Sequence, residues 1–141
     1  MNKQRLAILI AATVGAVSTF LPWANVLLLG SISGTKINGW NSLFYFAITI
    51  ILCLVGKRNN RLKGAVMYIA IITAILAGVI GVDIISKISE HGYISAEVSD
   101  LSESFPPGAS PAIGVYLIVL AGFSIPFIAF LIKDKVEPIA E

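Results

Sequence analysis

The stretch GKRNNRLKG at residues 56–64 decides the fold class of this chain. Its four cations, Lys57, Arg58, Arg61 and Lys63, lie between two long apolar runs. Short loops rich in Lys and Arg between hydrophobic spans stay in the cytoplasm. We therefore predict a cytoplasmic loop at 56–64 between two membrane-spanning helices, with these four cations as the residues that set the topology.

The composition places the chain in a membrane. Hydrophobic residues make up 57% of it and charged residues 13%, against about 45–50% and about 25% in soluble domains. The 141 residues suffice for about four spanning helices. The net charge of +2 is small and its cations cluster at predicted membrane boundaries, so a nucleic-acid partner is not expected. The predicted fold class is an all-α integral membrane protein, a bundle of four transmembrane helices.

The order of apolar and polar segments gives the topology. The predicted spans are about 6–21, 41–55, 65–82 and 111–132, with outer loops at 22–40 and 83–110. Both termini are then cytoplasmic, and residues 1–141 form a single membrane domain in the bacterial cytoplasmic (inner) membrane. Lys3 and Arg5 before the first span agree with this orientation. Ala16-Val17-Ser18 also fits a signal-peptide cleavage site, which is the alternative to a retained first span.

Two spans carry further signals about helix boundaries. The third has no helix breaker before His91, so its helix is expected to continue past the membrane to about Ser89. In the fourth, Pro111 suits the first helical turn. Pro126 lies inside that span and should kink it, because its ring removes a backbone hydrogen bond.

The two outer loops have different patterns. In the first, β-branched and apolar residues punctuated by Gly30, Gly34 and Gly39 favour a short β-hairpin; an irregular loop dipping into the lipid headgroups is the alternative. In the second, apolar residues recur at spacings of four, three and four, which predicts a short amphipathic helix. Its apolar face consists of Ile94, Val98, Leu101 and Phe105.

Small residues at helical spacing predict close contacts between helices. They are Ala11 and Gly15 in the first span and Ala74, Gly78 and Gly81 in the third. Packing inside the bundle explains them, and a homodimer seam is the alternative.

The spans as bounded above contain no Asp, Glu, Lys, Arg or His, the groups that mark proton relays and ion paths at membrane depth. Asp83, at the outer end of the third span, is read as a solvated acid. His91 could sense pH or bind a metal with loop acids, and Cys53 could be palmitoylated, but a loop histidine and a core thiol are the simpler interpretations. We expect no catalytic residue, no cofactor and no metal, and therefore no enzyme.

Apolar and aromatic residues near the outer end form the best candidate surface for a partner protein. They are Trp23, Trp40, Tyr93, Ile94, Val98, Leu101 and Phe105. The alternative is an aromatic belt at the membrane interface.

Residues 18–40 also carry a resemblance. Phe20-Leu21-Pro22-Trp23, the Ser31-Ile32-Ser33-Gly34 segment and Gly39-Trp40 resemble a group of small uncharacterised bacterial four-helix membrane proteins. That resemblance implies architecture and bacterial origin, and no particular activity. The architecture is also similar to that of claudins, with four spans and a Trp-bearing first outer loop. Claudins place a cysteine pair in that loop, which this chain lacks, and likeness of architecture does not transfer function.

The expected function is therefore association. The chain is predicted to be a non-enzymatic accessory or scaffold subunit of a bacterial envelope complex, with the lipid bilayer, another membrane protein or itself as partners. A small oligomeric channel or transporter and a membrane immunity or modulator protein are the alternatives.

Overall fold

The computed structural model describes residues 2–26, 30–37, 39–55, 62–93 and 109–132, and most of these are helical. The four helices are α1 Lys3–Ser18, α2 Gly39–Leu54, α3 Ala65–Tyr93 and α4 Ile113–Leu131. The three strands are β1 Pro22–Val26, β2 Gly30–Ser33 and β3 Ala109–Pro111. A 3-10 turn, Gly34–Lys36, leads from β2 towards α2. The predicted amphipathic helix at 94–105 and the cations Lys57, Arg58 and Arg61 lie outside the described residues.

Two of the helices are long and apolar enough to cross a membrane. They are the Ala65–Glu90 part of α3 and the whole of α4, and α2 is apolar but shorter. Because these two helices qualify by length and composition alone, they are weak evidence for membrane association.

Helix α1 starts three residues earlier than the predicted span and ends three residues earlier. The Asn2 side chain accepts a hydrogen bond from the Gln4 backbone N–H at 2.9 Å, which caps the helix start. At the other end, Pro22 disfavours a helical conformation for the residue before it, and strand β1 begins there. The consequence is that Gln4 and Arg5 belong to the helix.

Helix α3 continues beyond the predicted span, as expected, and reaches Tyr93. Residues 83–93, assigned to the second outer loop from sequence, are therefore helical. Asp83 and Lys87 lie one turn apart on this part of α3 and form an ion pair of 2.8 Å with both side chains more than half exposed. Such an exposed pair contributes little to stability.

The start of α4 corrects one prediction. Pro111 lies in strand β3, and the helix begins at Ile113. Ala112 is extended, with φ −112° and ψ 171°, and its N–H donates to the Trp23 carbonyl oxygen at 2.8 Å. Pairing with β1 thus holds this segment outside the helix. Pro126 lies within α4 as predicted.

The helices pack in a ring: α1 contacts α2, α2 contacts α3, α3 contacts α4, and α4 contacts α1. Gly15 lies against the ring of Phe46 where α1 meets α2. Gly122 of α4 lies against the backbone of Ala74 and Gly78 on α3. A side chain at these glycines would push the helices apart, so small residues set the close approach.

The three strands form one antiparallel sheet in the order β2-β1-β3. Antiparallel pairing of β1 with β2 confirms the hairpin predicted between the first and second helices, and Gly30 begins β2 with a φ of 81° that favours glycine. Strand β3 joins from the segment between α3 and α4 and was not predicted. The sheet lies at the end of the bundle where α1 and α3 end and α2 and α4 begin; we call this the sheet end.

Candidate interaction site

The indole of Trp23 fastens the sheet to the bundle. It is completely buried, and its Nε1–H donates to the Ser18 carbonyl oxygen near the end of α1 at 2.9 Å. Gly34, after β2, and Gly114, in the first turn of α4, both approach the ring so closely that a Cβ on either would collide with it. Trp23 therefore joins α1, β1, the 3-10 turn and α4.

This burial corrects the interpretation of Trp23 as a partner-binding residue. A ring enclosed on all sides by its own chain offers no surface to another protein. The sequence signal for its position was the pair of glycines that leave room for the ring, Gly34 and Gly114. Gly39, at the start of α2, itself packs on the backbone of Gly34.

The hydrogen-bond ladder decides which strand edge is free. Because the Ala112 N–H bonds to the Trp23 carbonyl oxygen, this carbonyl points towards β3. The carbonyls of neighbouring strand residues point to opposite sides, so the Ala24 carbonyl points towards β2. In β3, Pro111 pairs with Ala24, and its outward side lacks an N–H; α3 packs against this strand.

Strand β2 forms the opposite edge. Ile32 pairs with Ala24, and the Gly34 N–H bonds back to the turn before β1 at 3.1 Å, so both face the sheet. By the same alternation, Ser31 and Ser33 turn their backbone N–H and C=O groups outward. Ser31 is exposed and Ser33 half-buried. Among the residues that the structure describes, no strand pairs with the outer edge of β2, which presents a row of backbone hydrogen-bonding groups.

Trp40 is exposed and lies at the sheet end, close in the chain to the end of β2. It follows Gly39, which packs on the residue directly after β2, and 62% of its surface is accessible. We call β2 together with Trp40 the sheet-edge surface. Among the other predicted partner-binding residues, Tyr93 ends α3, but the structure does not describe its side chain. The remaining four, Ile94, Val98, Leu101 and Phe105, lie outside the described residues.

The opposite end of the bundle contains two buried polar residues that were interpreted from sequence as flanking the first span. Arg5 is 6% exposed, and its guanidinium donates to the carbonyl oxygens of Cys53 at 3.3 Å and Val55 at 3.0 Å. These carbonyls end α2, where a cation is favourable against the helix dipole. The Gln4 amide donates to the Ala129 carbonyl oxygen at 2.6 Å. Together they tie α1 to α2 and α4.

The predicted helix-packing residues lie at helix contacts within one chain. Gly15, Ala74, Gly78 and Gly81 are buried and Ala11 is half-buried. Between α2 and α3 the hydroxyls of Thr49 and Thr73 are 2.9 Å apart. Lys63 is exposed at the start of α3.

In the described part of the chain, no three His, Cys, Asp or Glu side chains lie close enough together to bind a metal ion. The His91 side chain and the loop acids at 94–108 are not among the described groups. Comparison with known protein families, curated proteins and solved structures gave no significant match.

Proposed function

We propose that this chain is a four-span protein of the bacterial cytoplasmic membrane that acts without catalysis, by associating at its sheet end with another membrane protein or with a second copy of itself. The first part rests on the outer surface of the bundle. Each helix turns large apolar side chains outward, where a soluble bundle carries polar ones. On α1 these are Leu6, Ile10, Val14 and Val17, all more than 40% exposed.

The shorter helices fit this proposal with a local adjustment. Helices α1 and α2 have 16 residues each, about 24 Å at 1.5 Å per residue, against a hydrocarbon core of about 30 Å. Interfacial residues such as Trp40 extend the apolar length, and local bilayer thinning accommodates the rest. The basic 56–64 loop then puts the sheet end outside and both termini inside.

The observation that carries the association is the sheet-edge surface. The Trp23 ring fixes the sheet to three other elements, so β2 presents its outward backbone groups without a further ordering cost. An exposed strand edge of this kind binds other chains by adding a strand. Trp40 at the same end of the bundle supplies an exposed aromatic side chain, a residue type enriched at protein interfaces.

The test compares two exposed aromatic residues. After gentle extraction from native membranes, the intact mass of the assembly is measured and its chains are identified for wild type, Trp40→Ala and Phe127→Ala. Phe127 is similarly exposed, at 66%, but lies in the C-terminal half of α4, away from the sheet. The proposal predicts that only Trp40→Ala lowers the share of chains in an assembly. A wild-type chain that is wholly monomeric, or equal losses in both variants, would contradict it.

The same measurement addresses the channel alternative. A pure assembly of three or more copies, followed by solute flux in liposomes, would favour an oligomeric channel over an accessory subunit. A stoichiometric second protein would instead identify the complex in which the chain works.

A further inference from the structure

The free edge of β2 also indicates the partner, and this inference rests on the function proposed above. We propose that the edge pairs with the β2 edge of a second copy of the chain, forming a continuous sheet across two protomers. The occupant is thus another β2 strand, antiparallel to the first.

The absence of charge on β2 permits this pairing. Natural edge strands are protected from pairing with each other by charged side chains, prolines or bulges that face outward. The four residues of β2, Gly-Ser-Ile-Ser, include neither a charge nor a proline, and the irregularity in the ladder lies on β1 between Pro22 and Ala24. Two such edges approach each other without electrostatic repulsion.

The outward groups of β2 are also self-complementary. Ser31 and Ser33 both turn their backbone N–H and C=O groups to the free side, one residue to each side of Ile32. In an antiparallel pair centred on Ile32, Ser31 of one copy lies opposite Ser33 of the other, and each pair exchanges two backbone hydrogen bonds. A pair centred on Ser31 or on Ser33 would leave the other of these two residues without a counterpart within β2.

This register places the two Ile32 residues opposite each other at a position without ladder bonds. Their Cα atoms then lie about 4.5 Å apart, within the range that a disulfide spans. Ile32 is half-buried and packs against the core, so the two side chains extend that apolar contact across the dimer. In contrast, the Ser31 Cα atoms of the two copies are about 8 Å apart, from an offset of about 6.8 Å along the strands and about 4.8 Å between them. That distance is beyond disulfide reach.

Cysteine cross-linking in native membranes tests the register. Cys53 is the chain's single cysteine and is buried, so Cys53→Ala provides the background. Ile32→Cys should give a disulfide-linked dimer under mild oxidation, whereas the more exposed Ser31→Cys should give little. Equal or greater cross-linking of Ser31→Cys would overturn the proposed register.

A backbone substitution tests the hydrogen bonds themselves. Ser33 has φ −73° and ψ 153°, which proline adopts without strain, and its N–H points away from β1. Ser33→Pro should therefore leave the monomer folded and lower dimerisation about tenfold or more, because the same N–H is lost from both copies. Ser33→Ala removes the side-chain bond to Thr35 but keeps the N–H, and should dimerise like wild type.

The outcomes separate this inference from the proposed function. No Ile32→Cys dimer, together with a foreign chain whose binding is lost in Ser33→Pro but not in Ser33→Ala, would refute self-pairing and leave association at the sheet end intact. No dimer and no foreign chain bound at the sheet end would refute both. Equal unfolding temperatures of the two Ser33 variants, measured at a dilution where both are monomeric, confirm that the comparison reports association.

Discussion

The Trp23 indole donates a hydrogen bond of 2.9 Å to the carbonyl oxygen of Ser18, so the first residues after α1 turn back onto the helix that precedes them. The same carbonyl accepts the Leu21 N–H at 3.2 Å. A single side chain thereby fixes the direction in which β1 leaves the bundle. The position of the whole sheet depends on this ring, because β1 is its central strand.

Replacing Trp23 should destabilise the fold much more than replacing Trp40. We expect Trp23→Ala to cost about 3–5 kcal/mol, as for other large buried aromatics, because its cavity lies between four elements. Trp40→Ala, at an exposed position, should change stability by no more than about 0.5 kcal/mol. Denaturant unfolding in detergent micelles measures both, and similar losses in the two variants would show that Trp23 does not fasten the sheet.

The contact between α3 and α4 should be more sensitive at Gly122 than at Gly78. A Cβ at Gly122 would lie 2.7 Å from the Ala74 carbonyl oxygen, which is backbone and cannot turn aside, whereas at Gly78 the nearest atom is 3.2 Å away on the Phe123 ring. We expect Gly122→Ala to cost about 1–3 kcal/mol. Gly78→Ala should stay near zero, since the gain in helix propensity of about 1 kcal/mol offsets a small repacking cost. Unfolding of the two variants in the same detergent provides the comparison, and the reverse order would contradict the close approach at Gly122.

Arg5 should contribute to stability beyond its effect on orientation. Arg5→Gln removes the cation from the end of α2 and its bonds to two carbonyl oxygens, and we expect a loss of about 1.5–3 kcal/mol. Lys3→Gln removes the same charge from an exposed position and serves as the control. Thermal unfolding of both variants measures the two losses of stability. Equal losses would show that the Arg5 hydrogen bonds do not stabilise the fold.

The hydroxyl pair between α2 and α3 should contribute modestly. A double-mutant cycle with Thr49→Val and Thr73→Val should give a coupling of about 0.6 kcal/mol, the average for such pairs in membranes. Each hydroxyl also bonds its own helix, Thr49 to Tyr45 and Thr73 to Ile69, which limits the loss in the single variants. A coupling above about 2 kcal/mol would indicate a more central role for this contact.

The sequence predicted the features that depend on local pattern. Hydropathy located the four helices, and β-branched residues with glycines predicted the β1–β2 hairpin. Strand β3 escaped prediction because Ala-Ser-Pro has no strand propensity of its own; it is extended because β1 offers it a partner. The third helix was predicted to continue past its span to about Ser89, whereas α3 reaches Tyr93.

The candidate site was predicted less well, for reasons that lie in tertiary contacts. A tryptophan between a span and an outer loop usually marks the membrane interface, and only the glycines from distant segments reveal that Trp23 is enclosed. Arg5 was assigned to the flank because the cap at Asn2, which extends α1 over it, is a weak signal beside a strong apolar run. The free β2 edge follows from strand order, which a single sequence does not contain.

Labelling of two exposed lysine positions from outside the cell tests the central claim, the orientation of a four-span chain with its sheet end outward. Lys36, at the sheet end, and Lys63, at the opposite end of the bundle, are both exposed, so Lys36→Cys and Lys63→Cys in the Cys53→Ala background form a matched pair. With a membrane-impermeant maleimide, the account predicts labelling of Lys36→Cys in intact cells and of Lys63→Cys only after the membrane is opened. Labelling of both positions from the same side, or release of the protein from membranes by alkaline carbonate, would contradict it.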